Sequence, residues 1–214
     1  MPVAAWFADL LRRELQGRVV LSDPQIGQLH EHYELLQRWN LKINLTSIPS
    51  GPEAVIRHYC ESLFFAANLP VKEKARIADL GSGAGFPGVP IAILRREWTV
   101  ALVESHQRKA VFLREATREL GNVAVLANRA EDVEGSFDWL VSRAVDPEDV
   151  LKIAQRLAPR IGLMLGEDDW ATIKLNEAIA WAEPIRLPWG DRRFCVNGVS
   201  RDVPRPHVPR GTGM

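Results

Sequence analysis

The sequence predicts an α/β fold: a Rossmann-like, doubly wound parallel sheet preceded by an N-terminal helical extension. Three observations predict it. Residues 1 to about 70 carry apolar side chains at helical spacing. Beyond Val71 short apolar runs alternate with amphipathic ones, as in a chain of βαβ units. At the junction stands Arg76-Ile-Ala-Asp-Leu-Gly-Ser-Gly-Ala-Gly-Phe-Pro-Gly88, an apolar run suited to a buried parallel strand and then a glycine-rich turn.

Taken in order, Ser22-Asp-Pro-Gln25 is a helix start, with Pro24 near the first helical position and Ile26, Leu29, Tyr33, Leu36 and Trp39 on one face. Asn40 to Pro49 interrupts that period, and a second amphipathic helix from about Glu53 points Val55, Ile56, Tyr59, Leu63 and Phe64 to the body. Trp39 and Tyr59 therefore read as core. Strands are expected near 76–80, 99–103, 122–127, 137–142 and 161–165, with helices near 88–96, 108–120, 147–158 and 168–181. Gly121 should stop the second of these helices, and Pro87 and Pro90 suit the first turn of the helix at 88. Ile185 to Ser200 reads as strand, turn and strand, a final antiparallel edge, although Asn197-Gly198 favours a tight turn where the strand should continue. The expected division is a helical extension over 1–70, a sheet-bearing unit over 71–202 and a flexible basic tail over 203–214.

A chain of 214 residues is long enough for one α/β domain with an extension, and its net charge is zero. Zero charge gives no direct support to a nucleic-acid partner, since such domains are commonly basic. The segment from Ala182 onward is locally basic, with Arg186, Arg192, Arg193, Arg201, Arg205 and Arg210 outnumbering its acids, which suits either a phosphate-holding edge or a solvated tail. No apolar run approaches the roughly 20 residues that cross a bilayer, and Met1 to Asp9 lacks a basic leader, so a cytoplasmic protein with no membrane contact is expected. Cys60 and Cys195 form no C-x-x-C pair, which indicates neither a disulfide framework nor a metal site.

The chemistry lies at the junction. In a βαβ unit the turn after the first strand brings backbone close to a ligand, and Glu104, ending the next strand in Val100-Ala-Leu-Val-Glu104, can accept from both hydroxyls of a ribose. Gly83, Gly85 and Gly88 also satisfy G-x-G-x-x-G, so a nicotinamide or flavin is a rival, as is a tight turn that binds nothing. Two features favour S-adenosylmethionine. Asp79 suits a cationic sulfonium amino acid, and Phe86-Pro87 would obstruct a pyrophosphate. The fold class is then a class I S-adenosylmethionine-dependent methyltransferase sheet, with no metal required.

The methyl acceptor should meet the end of the fourth strand, Phe137-Asp-Trp-Leu-Val-Ser-Arg-Ala144. Ser142-Arg143-Ala144 lacks the Asn or Asp, prolines and aromatic that methylate exocyclic amines, and neither cysteine stands where a pyrimidine-carbon nucleophile would. Guanine N7 needs neither, because its lone pair carries no proton. Alignment alone then carries the rate. Arg143, with a fork matched to guanine O6, to phosphate or to the donor carboxylate, fits the task; a surface arginine or a pair with Asp138 is the structural alternative.

Arg38-Trp-Asn-Leu-Lys-Ile-Asn-Leu-Thr-Ser47, Arg57-His58 with Glu61-Ser62, Ile77 to Pro90, Asn128-Arg-Ala-Glu131 and Val141-Ser-Arg-Ala144 together resemble the bacterial small-subunit ribosomal RNA guanine-N7 methyltransferases, the glucose-inhibited division protein B family. The resemblance covers nearly the whole chain. It implies methyl transfer to a guanine N7 in 16S ribosomal RNA, in the free RNA or the small subunit, by a monomer. By position it implies that Gly81 and Phe86 belong to the donor turn, Ala130 and Glu131 lie against adenine, Glu104 holds the ribose, and Arg129, Arg57 and His58 stand near the RNA. Donor contacts are thus expected from Asp79, Gly81, Gly83, Phe86, Glu104, Ala130, Glu131 and Arg143, with Arg143 and Arg129 orienting the reactants. Relatives often carry lysine in an L-K-G element ending strand five, where this chain has Leu163-Met-Leu-Gly-Glu167; Lys152 or Arg160 are candidate substitutes. A small-molecule or protein acceptor, or an RNA-binding module without turnover, are the competing functions; RNA binding would show a steep salt dependence.

Overall fold

In the computed structural model, which describes residues 3–71, 74–190 and 192–201, local signals set where the first helices begin. Helix α1 spans Ala5–Leu15 and α2 spans Asp23–Asn40. Ser22 caps α2 in a reciprocal box: Gln25 N–H donates to its hydroxyl, and Ser22 N–H donates to the Gln25 side chain at 2.9 Å. A third helical stretch is continuous but changes pitch, with α3 at Pro52–Ala54, a π-helical segment at Val55–Cys60 and α4 at Glu61–Asn68. Packing outweighs capping in holding this extension. A cap contributes about 1 kcal/mol, whereas Phe7, Leu11, Leu29, Leu36 and Tyr59 are each fully buried, at roughly 1.5–3 kcal/mol per side chain.

The sheet contains β1 (Arg76–Leu80), β2 (Thr99–Val103), β3 (Val123–Leu126), β4 (Trp139–Arg143), β5 (Arg160–Gly166), β6 (Ile179–Trp181), β7 (Ile185–Arg186) and β8 (Arg193–Ser200). Its order is β3-β2-β1-β4-β5-β8-β6, with β7 also pairing β8. Strands β1 to β5 run parallel, while β8 is antiparallel to β5, β6 and β7. Helices α5 (Gly88–Leu94), α6 (Gln107–Ala116), α7 (Pro147–Leu157) and α8 (Glu167–Ile173) complete the layers.

Strand periodicity divides the core in two. Ile77, Val100, Leu102, Trp139 and Val141 face a cluster shared with the N-terminal helices, α5 and α6, whereas Leu80, Val103, Leu140, Ile161 and Leu163 face α7 and α8. Tyr59 sits in the first cluster, and Trp39 packs against it while its indole N–H donates to Glu115. The strand order reverses between β1 and β4, so a crevice opens where their carboxyl ends diverge.

Three expectations need correction. The helix expected over 168–181 ends at Ile173, and residues 179–181 form β6 on β8. Asn176 turns the chain there, its side chain accepting from Ala178 N–H at 3.0 Å. The helix expected to reach Gly121 ends at Ala116, where Thr117 Oγ1 bonds back to the Leu113 carbonyl. The edge is β6, because β8 lies inside the sheet. Asn197-Gly198 makes no turn: a Cβ on Gly198 would meet Ile179 Cγ2 at 2.5 Å and Trp181 Cε3 at 2.7 Å, so this glycine serves close strand packing. The tail over 203–214 lies outside the described residues.

Candidate active site

The turn after β1 is built from backbone bonds. Gly81 and Ser82 N–H groups donate to the Val103 carbonyl, and Ser82 Oγ donates to the Asp79 carbonyl at 2.9 Å. Gly81 has φ +67, a conformation that costs other residues about 1–2 kcal/mol. Glu104 ties the turn to β2: one oxygen accepts from Gly83 N–H at 2.9 Å and the other from His106 N–H at 2.7 Å. A carboxylate has about four acceptor positions, so two remain for a ligand.

Two cavities meet at this turn. The first, about 300 Å³, is walled by Val103, Asn128, Arg129, Glu131, Val145 and Ile153 among others. Its size is at the lower end for a small-molecule site. Arg156 braces one wall, donating to the carbonyls of Ala130, Glu131 and Val133 at 3.0, 3.0 and 2.6 Å. The second, about 350 Å³, is lined by Thr46, Ser47, His58, Phe86, Lys109 and Arg143 among others. Gly81 lines both.

The second cavity owes its roof to Asn40. Its carboxamide oxygen accepts from Leu45 and Thr46 N–H, and its amide donates to the Thr46 carbonyl, so the W-N-x-x-x-N-L-T-S element folds back onto the crevice. Thr46 Oγ1 lies 2.9 Å from His58 Nε2, and the His58 ring stacks on Phe86 at 4.5 Å. On the floor Arg143 Nη1 donates to the Arg57 carbonyl at 2.6 Å, and Ala144 follows with φ 59, uncommon for a residue with a Cβ.

The predicted residues thus divide. Gly81, Arg129, Ala130 and Glu131 line the first cavity, and Glu104 underpins its turn. Gly83, Phe86, His58 and Arg143 line the second. Asp79 lines neither: it is fully buried, and its Oδ2 accepts from Gly88 N–H at 3.0 Å. Arg57 reaches the site through its carbonyl, and its guanidinium turns toward Glu61. Arg143 does not pair with Asp138, whose carboxylate accepts from Arg76 N–H instead. Lys152 pairs with Asp149 on the surface and Arg160 opens β5 in a different cleft, so neither lines the second cavity. Sequence reasoning gave no individual role to Thr46, Glu61, Lys109 or Arg156, and read Arg193 only as one of a basic segment. Thr46 and Glu61 lie in segments already notable as motifs, whereas no local signal marks Lys109 or Arg156.

Burial also sets the site's response to pH. Desolvation, chiefly, holds His32 down to about 4 and His58 down to about 3, the latter helped by Arg143, and it pushes Asp79 up to about 7. The unfolded chain protonates its histidines near pH 6.5 while the folded rings stay neutral, so each lowers stability as pH falls below that value. Asp79 acts oppositely: from about pH 7 to 4 the folded state keeps a proton that the unfolded state has released. Two histidines against one carboxyl leave a small fraction of a proton taken up on unfolding at pH 6.5 and about one at pH 5, or about 1–1.5 kcal/mol lost between them. Urea titrations at the two pH values check this, and equal stabilities would contradict it.

Comparison with known proteins bears on the whole arrangement. A family model, GidB, described as rRNA small subunit methyltransferase G, matches residues 25–176. The Ribosomal RNA small subunit methyltransferase G of Nitrosospira multiformis is 39% identical over 174 residues, 78% of either chain. Its namesake in Burkholderia ambifaria is 36% identical over 186 residues, 81% of this chain and 77% of that one. Among solved structures, a SAM dependent methyltransferase from Aquifex aeolicus superposes with TM-score 0.58 at 14% identity, covering 78% of this chain and 98% of that one. A methyltransferase from Pyrococcus furiosus gives TM-score 0.57 at 16% identity over 78% and 95%. These two share the fold. By sequence, the chain belongs to the GidB family of small-subunit ribosomal RNA methyltransferases G.

Proposed function

We propose that this protein transfers the methyl group of S-adenosylmethionine to N7 of a guanine in 16S ribosomal RNA, acting as a cytoplasmic monomer on the free RNA or the small subunit. The observation that carries the reading is the pair of cavities meeting at Gly81, one suited to a nucleoside and the other walled by cations. The first fits the donor by its chemistry: Val103, Val145, Val150 and Ile153 offer apolar faces to adenine, and Asn128 and Glu131 offer polar groups at the rim. Bound there, the donor would supply an electrophilic methyl carbon, to which a nitrogen lone pair bonds as the carbon–sulfur bond breaks and the sulfur leaves as a neutral thioether.

The protein's own part is alignment. Glu104 accepts from the ribose hydroxyls, the Ala130 and Glu131 turn lies along the base, and Arg129 covers the mouth. On the acceptor side Arg143 offers guanine O6 or an adjacent phosphate the N–H groups not engaged by the Arg57 carbonyl and Glu61, leaving N7 free to attack. Lys109 adds a second cation. No proton leaves N7, so no general base is needed, and His58, kept neutral by burial, serves as a wall stacked on Phe86. Asp79 braces the turn from beneath. Neither Cys60 nor Cys195 lines the second cavity; both are buried, which raises their thiols.

The test is transfer of tritiated methyl from S-adenosylmethionine to small-subunit particles lacking the modification, with nuclease mapping of the product. Label in 7-methylguanosine at one loop position supports the reading, because loops expose base edges that a duplex hides; donor binding without label would overturn the choice of acceptor. Glu104→Ala is expected to weaken donor binding by about 1.5–3 kcal/mol, roughly 10- to 100-fold, as for loss of a charge-assisted hydrogen bond. Calorimetry on the folded variant decides it, and unchanged affinity would remove Glu104 from the site.

A further inference from the structure

Glu61 is 1% exposed, yet three guanidiniums from three elements converge on it. Arg193 of β8 makes the tightest ion pair, with Oε1. Arg57 Nε lies 3.5 Å from the same oxygen, and Arg143 Nη2, at the end of β4, lies 3.7 Å from Oε2. Two of the arginines are also fixed by carbonyls, Arg143 on Arg57 and Arg193 on Trp189. Of the three, only Arg143 lines the second cavity.

One carboxylate among three cations leaves two positive charges in excess, packed behind the wall that faces the acceptor. Arg143 and Arg193 are mostly buried, so their repulsion is weakly screened, whereas the more exposed Arg57 is screened by water. Glu61 offsets that repulsion from the centre, and its position sets how far each guanidinium can approach the others. Arg57 and Glu61 stand four residues apart at the junction of the π-helical segment Val55–Cys60 and α4, and Arg143 reaches both, through the Arg57 carbonyl and the Glu61 carboxylate.

We propose that Glu61 is a positioning residue for methyl transfer: with Arg57 and Arg193 it holds the Arg143 fork against the acceptor base without touching the reacting atoms. This rests on the reading of the second cavity as the guanine site. The role differs from that of a buried ion pair that merely joins α4, β4 and β8, since such a pair would set stability and leave turnover of the folded enzyme alone.

The experiment compares the full-length wild type with Glu61→Gln, Glu61→Asp, Arg143→Lys and the Glu61→Asp/Arg143→Lys double variant, measuring donor affinity by calorimetry and kcat and KM on small-subunit particles. Glu61→Gln leaves buried cations without a counter-ion and can fail to fold, so Glu61→Asp, which keeps the charge and withdraws it by one methylene, carries the test. The expected result is a folded Glu61→Asp protein with donor affinity within about twofold of wild type and kcat lower by about 10- to 100-fold, the effect of a small misplacement of an aligning group. On top of Arg143→Lys the same change should cost less than about threefold, because the fork it positions is already gone. Wild-type kcat in folded Glu61→Asp, or a full loss repeated in the Arg143→Lys background, overturns the proposal. A wild type that binds donor but methylates no guanine in the same particles overturns instead the reading on which it rests.

Discussion

Gly81→Ala is expected to lower methyl transfer by about 100-fold or more while leaving a folded protein. Gly81 is the residue at which the two cavities meet, and its backbone has φ +67. Alanine there carries a strain of about 1–2 kcal/mol, less than the 5–15 kcal/mol that separates typical folded and unfolded states. The steric effect matters more for function. A Cβ at this position runs into Cγ2 of Val145, a wall of the first cavity whose branched side chain has no long flexible arm to move aside. Either the turn shifts toward the second cavity or Val145 retreats into the first, and with donor and acceptor in those cavities, as proposed, both misplace reacting groups, for which roughly 100-fold per ångström is a fair scale. Methyl-transfer kinetics and urea unfolding on the same preparation decide the matter. Wild-type turnover in the folded variant would mean that the passage beside Gly81 is not the route of transfer.

Much of this site was legible because strand, turn and helix leave compact signatures. The apolar run before Gly81, the glycines after it and the acid closing the next strand specify β1, β2 and the turn that carries the site, and residues 76–80 and 99–103 are strands as the pattern predicts. What sequence could not say is which way each side chain turns. By sequence Asp79 is a candidate donor contact because a carboxylate suits a cationic sulfonium; its side chain lies buried under the turn, where Oδ2 accepts from Gly88 N–H. Phe86, read as filling a donor turn, inserts among the N-terminal helices against His58 and Tyr59. Long-range pairing was equally hidden. Arg193 lies 132 positions after Glu61 in the sequence, and only the antiparallel return of β8 beside β5 brings the two together. The same return accounts for β6: Ile179 to Trp181 is short and apolar enough for either helix or strand, and the open flank of β8 makes it strand.

Gly88→Ala should destabilise the protein by about 1–5 kcal/mol, although alanine is ordinarily the better helix former by about 1 kcal/mol. Gly88 opens α5 and is buried, and its backbone is not in the left-handed region, so dihedral strain plays no part. Space decides the outcome. A Cβ would strike Leu102 Cδ2 and come within 2.6 Å of Asp79 Oδ2 and 3.1 Å of Asp79 Cβ. Both neighbours are 0% exposed, on adjacent paired strands. Overpacking of this kind costs about 1–3 kcal/mol, and pushing α5 away stretches the bond from Gly88 N–H to a carboxylate with no route to water, a further 1–3 kcal/mol. Urea unfolding measures the sum, and a loss below about 1 kcal/mol would show that α5 moves freely over the sheet. The cause is separable by a cycle with Leu102→Ala, which removes the nearest obstacle: Gly88→Ala should then cost distinctly less than in the wild type, the coupling expected of two groups competing for one space. Because Asp79 and Gly88 bracket the turn that carries Gly81, donor affinity should fall along with stability, and it should recover in the same double variant if packing beneath the turn is what shapes the cavity above it.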